Sequence, residues 1–173
     1  EIASRANVSH ETFYEIYETK HDAFLGAQKV GLHQALRVTA EAVDGLDGEW
    51  PDGVAAGMHA LLEYVCSEPE HAHLTLVDTF GASPRAIEIR ERSLESFTER
   101  LRPGYDHAAT LDVDVPEVAA EAVAGGIWQV MHHYIEQQRL HELCDAAPQL
   151  VFLTLSPFVG SDRAAEVARR AVS

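Results

Sequence analysis

At 173 residues, 46% of them apolar, the chain is long enough to bury a core of its own. A formal charge of −15, with lysine only at Lys20 and Lys29, argues against broad attraction to nucleic acid or to anionic membranes, and the longest apolar run, Leu150–Leu155, is far too short to span a bilayer. The acidity is uneven: residues 1–40 carry five acidic and four basic side chains, the rest 23 and nine.

Period-two alternation is nearly absent, and Ala, Leu, Glu and Arg fill long Pro-free stretches, so an all-α fold is expected. Glu1–Ala6 reads as a helix end, and Asn7 suits the turn after it. Ser9 caps a short helix, His10–Tyr17, and Thr19 caps a third that runs from Lys20 to about Val43. Residues 44–53 read as a loop. A helix over Val54–Cys66 carries Met58, Leu61, Leu62 and Val65 on one stripe. Pro69 restarts a helix through Phe80. Ser83 and Pro84 open the next, with Ile87, Leu94, Phe97 and Leu101 inward, Glu88 and Arg92 as a surface pair, and Pro103-Gly104 at its end. A second loop, Tyr105–Val115, precedes two unusually apolar helices, 116–138 and 147–156. Pro157 stops the latter, Gly160 turns, and Ser161 caps a short tail.

The opening residues carry the functional signal. Ile2-Ala3, Ala6, Val8-Ser9, Thr12-Phe13-Tyr14, Tyr17, Lys20 and Phe24 stand at the offsets of a helix-turn-helix. Small Ala3 and Ala6 let two helices cross, and Val8 and Phe13 fill the corner. This series resembles the helix-turn-helix of the TetR family of transcriptional regulators, with Asn7 where glycine is usual. The first helix of the unit is expected upstream of Glu1, so the motif is truncated at its start. By resemblance, residues 1–25 are the end of a DNA-binding domain, and 26–173 form a helical ligand-binding and dimerisation domain. Ser9, Thr12, Tyr14 and Lys20 would cap the helix or meet phosphates, while His10 and Glu11 would approach base edges. The partners implied are double-stranded operator DNA, a small-molecule effector, and a second copy joined as a homodimer through helices 116–138 and 147–156. Leu150, Phe152, Leu153 and Phe158 would otherwise be an exposed apolar patch.

The effector cavity is expected among the middle helices, with Met58, Leu62, Phe80, Phe97, Leu101, Trp128, Met131 and His132 as candidate walls and an apolar or aromatic ligand. No metal, cofactor or catalytic site is expected. His71 and His73, and the adjacent His132 and His133, have the wrong helical spacing to share an ion. There is no nucleophile elbow and no glycine-rich phosphate loop. Cys66 and Cys144 lack any CxxC pattern and read as free thiols in a reducing cytoplasm. The expectation is a cytoplasmic, ligand-responsive repressor. The alternative is a helical small-molecule-binding or enzymatic domain with a vestigial DNA-binding segment.

Overall fold

The computed structural model describes residues 9–170, apart from the side chains of His10, Phe80 and Ala82. The expected helix end at Glu1–Ala6 and the turn at Asn7 lie outside those residues. Among the described residues every regular element is a helix, which places the chain in the all-α class.

The first two elements are specified locally. Helix α1, His10–Ile16, begins where the Ser9 hydroxyl accepts from the Thr12 amide at 2.9 Å. Helix α2, Lys20–Asp44, begins with a reciprocal cap: Thr19 Oγ1 accepts from the Asp22 amide, and Asp22 Oδ2 accepts from the Thr19 amide. Helix α3, Trp50–Ser67, starts earlier than the loop reading allowed, because Pro51 favours the first turn of a helix. Then come α4, Pro69–His73, a π-helical turn, Leu74–Asp78, and α5, Thr79–Ala82. Helix α6, Pro84–Leu101, is capped by Ser83 as expected. Its Glu88 is bonded not by Arg92 but by Arg85, at 2.6 Å.

Pro103-Gly104 does not open a loop. Pro103 starts α7, Pro103–Thr110, over residues read as irregular. Helix α8 spans Ala119–Glu136, α9 spans Leu140–Cys144 and α10 spans Ala147–Arg170. Pro157 lies inside α10 rather than ending it. The break comes at Gly160, whose φ of 77° and ψ of 162° are non-helical.

Helices α2, α3, α6, α8 and α10 surround the core, where Leu62, Val65, Trp128, Leu150, Leu155 and Phe158 are almost wholly buried. Burying each of the aliphatic side chains contributes about 1.5–3 kcal/mol. Gln28 is the largest of the buried polar residues. Fully buried on α2, it donates through Nε2 to Thr79 Oγ1 at 3.0 Å and to the Ala86 carbonyl at 2.9 Å, tying α2 to α5 and α6.

One end of the bundle closes around Phe158, fully buried on α10. Trp50 of α3 and Tyr105 of α7 meet its ring edge-on, with centroids 5.3 and 5.4 Å away. The Tyr105 hydroxyl donates to the Glu117 carbonyl at 2.7 Å and accepts from the Ala120 amide at 3.1 Å, so it holds the entry to α8. A Cβ on Gly104 would stand 2.5 Å from a Trp50 ring carbon and 2.9 Å from one of Phe158. Only glycine permits this approach.

The free-thiol expectation is overturned. Cys66 at the end of α3 and Cys144 at the end of α9 form a disulfide across Cα atoms 6.1 Å apart. A sequence separation of 78 residues hid the pair from any local pattern. No helix among the described residues is long and apolar enough to cross a membrane.

Gly104→Ala is expected to destabilise by about 1–3 kcal/mol through overpacking. Thermal unfolding then shifts down by roughly 2–10 °C, while Gly81→Ala, where a Cβ meets nothing within 4 Å, leaves it nearly unchanged. Closing so long a loop restricts the unfolded chain, so Cys144→Ser is expected to cost about 2–4 kcal/mol in oxidised protein. Dithiothreitol should lower the melting temperature of the parent and not that of the variant.

Candidate nucleic-acid interface and ligand cavity

Helix α1 is held by one buried anchor. Phe13 is 7% exposed and packs against Tyr14 and Tyr17, with ring centroids 5.2 and 5.6 Å away. Tyr17 in turn lies over Gly26 of α2, where a Cβ would stand 3.1 Å from the ring. With its apolar side fixed, α1 presents Glu11, Tyr14 and Glu15 to solvent, and Lys20 is exposed at the start of α2. Ser9 and Thr12 are partly committed to the cap, their hydroxyl oxygens 2.9 Å apart.

Nearly thirty ångströms along α2 from Lys20, by helical rise, Thr39 and Val43 reach the wall of a cavity of about 410 Å³. Helices α3, α6 and α8 supply most of the remaining wall, and Thr154 of α10 joins it. This size suits a small organic ligand. The lining is mainly apolar. The Thr154 hydroxyl is occupied, donating to the Leu150 carbonyl at 2.7 Å. Two charged residues reach the wall, Glu49 and Arg100. Glu49 accepts from Arg163 at 3.1 Å, and hydrogen bonds to Glu166 and then to Glu49 hold the Arg163 guanidinium above its ordinary pKa. Trp128 on α8 forms part of the wall, with the Arg90 guanidinium carbon 5.5 Å from its ring centroid.

Among solved structures, the chain is similar to a bacterial regulatory protein in the TetR family from Rhodococcus RHA1. The TM-score is 0.68 over 91% of this chain and 83% of that one, at 22% sequence identity. The chain has a TetR-like fold. No protein-family model matches the sequence, and no curated protein matches it.

Within the TetR-like frame, Met58, Phe97, Leu101, Trp128 and Met131 are on the cavity wall. Leu62 is not: at 2% exposure it faces the core on another side of α3. His132 is half-buried and also off the wall, and the Phe80 side chain lies outside those described. Thr39 and Val43 were not among the expected wall residues, because the cavity was expected among the middle helices. Sequence reasoning missed Trp50 and Glu49 because they were placed in a loop. The apolar stripe of α3 was the available signal, with Val54, Met58 and Leu61 at helical spacing.

Of the four residues expected to need a partner, Leu150 and Phe158 are buried within the single chain, at 2% and 0% exposure. The patch argument therefore fails for them: α10 packs these two onto its own core. Leu153 stays 51% exposed, with Phe152 half-buried beside it. Among the described residues no group of three or more His, Cys, Asp or Glu side chains could hold a metal ion.

Because the cavity wall is mainly apolar, N-phenyl-1-naphthylamine is expected to bind with a rise in emission. Ala124→Trp, which places an indole on the wall, is expected to weaken that binding at least tenfold. Unchanged titration of this variant would put the dye elsewhere.

Proposed function

We propose that this protein is a ligand-responsive transcriptional regulator, acting as a homodimeric repressor that a small apolar or aromatic effector releases from operator DNA. The observation that carries the reading is the continuity of α2. One unbroken helix begins at the capped corner of α1 and ends on the cavity wall, so a ligand that repositions α2 repositions the DNA-facing helix. The division at residue 25 is then functional, with no linker between the halves. A ligand that binds one placement of α2 better than the other shifts the population between them.

In this reading α1 enters the major groove. His10 and Glu11 face base edges, while Ser9, Thr12, Tyr14 and Lys20 set the register on phosphates. Two copies would place their α1 helices about 34–36 Å apart, one turn of DNA. The proposed interface is the outer face of α8 and α10. In a chain of −15, residues 122–135 and 147–161 hold no Asp, Glu, Lys or Arg. Ala122, Gly126, Gln129 and His133 are exposed on one side of α8, and Gln149 and Leu153 on α10. An uncharged face of this extent is suited to a self-complementary contact. The proposed compartment is the cytoplasm, where operator DNA would be met; the Cys66–Cys144 bridge argues the other way, because disulfides are rare in a reducing compartment.

Light scattering of the full-length protein is expected to give twice the chain mass, and Leu153→Asp half of that. In binding assays on randomised duplexes, Tyr14→Ala and Lys20→Ala are expected to weaken all sequences alike, whereas His10→Ala changes the preferred sequence. Equal loss for all three would contradict the assigned roles. No DNA retention at any sequence would favour a ligand-binding or enzymatic helical domain instead.

A further inference from the structure

Among the described residues two charged side chains line the cavity, Glu49 and Arg100, and the protein treats them differently. Glu49 is paired with Arg163, which it shares with Glu166. Arg100 has no carboxylate within 4 Å among the described residues, although acids outnumber bases by 28 to 13 in the chain. Its neighbour Glu99 is already held by Arg102 at 2.7 Å. The cavity therefore carries one positive charge that no carboxylate pairs, on a solvent-exposed side chain beside the apolar surfaces of Phe97, Leu101 and Leu94 on the same helix. A guanidinium in that position offers a planar fork of donors that matches a carboxylate.

Resting on the cavity reading above, we propose that the effector is an amphipathic monocarboxylate, its aliphatic or aromatic body against the apolar walls and its carboxylate on Arg100. The competing role for Arg100 is a stem that covers apolar wall while its head remains in water. That role gives no preference for an anion.

The two are separated by displacing N-phenyl-1-naphthylamine from the full-length protein with octanoate and 4-phenylbutyrate, each set against its primary amide. Acid and amide share one apolar body, so their ratio isolates the charge. Each acid is expected to compete at roughly tenfold lower concentration than its amide, the size of a charge-assisted hydrogen-bonded contact. Arg100→Gln should bring the two together, each displacement being referred to the dye affinity measured for that variant. Amides as potent as acids on the parent protein would overturn the proposal, as would a preference that survives Arg100→Gln. If the dye binds and neither acid displaces it, the anion assignment falls and the cavity stands. If the dye does not bind at all, both fall.

Discussion

The close approach at Gly104 is the constraint on which the arrangement of helices depends. With no Cβ there, Trp50 and Phe158 come against the α7 backbone, and three helices distant in sequence meet at one aromatic cluster. Tyr105, the next residue, uses its ring for that cluster and its hydroxyl for the entry to α8. Trp50 and Pro103 are also cavity wall. The junction thus fixes where the cavity ends as well as how the bundle closes. The disulfide secures α3 by its other end, to α9.

Helix α2 has a different character. Its contacts with the rest of the body include a buried amide network at Gln28, and its far end forms part of the cavity. Gln28 Oε1 is itself buried without a hydrogen-bond partner. A buried polar group left partly unsatisfied is costly in one packing and can be relieved in another. The π-helical turn beside Thr79 adds an irregular backbone segment at the same place. These features sit beside the helix that, in the proposed function, shifts with ligand.

Local signals were legible in the sequence. Ser9, Thr19 and Ser83 cap helices because short hydroxyl side chains satisfy free amides at the first turn, an interaction confined to a few residues. The all-α class follows from pattern and composition in the same way. What escaped depended on distant parts of the chain. Pro103-Gly104 looks like a stop by local chemistry, yet proline also fits a first turn, and the glycine is needed by a tryptophan 54 positions earlier. Leu62 and Met58 share a stripe, but only the packing of α6 and α8 decides which one meets the cavity. Leu150 and Phe158 were greasy enough to suggest a partner chain, and their own fold covers them.

The central claim is that occupancy of the cavity moves the DNA-facing helices through α2. The most direct test is the distance between nitroxide labels introduced by unnatural amino acid at exposed position 18 of both copies, measured by pulsed electron resonance with the cavity empty and saturated. The account requires the distribution to move, away from the spacing that fits successive major grooves. An identical distribution in both states, with ligand binding confirmed in the same sample, would contradict it.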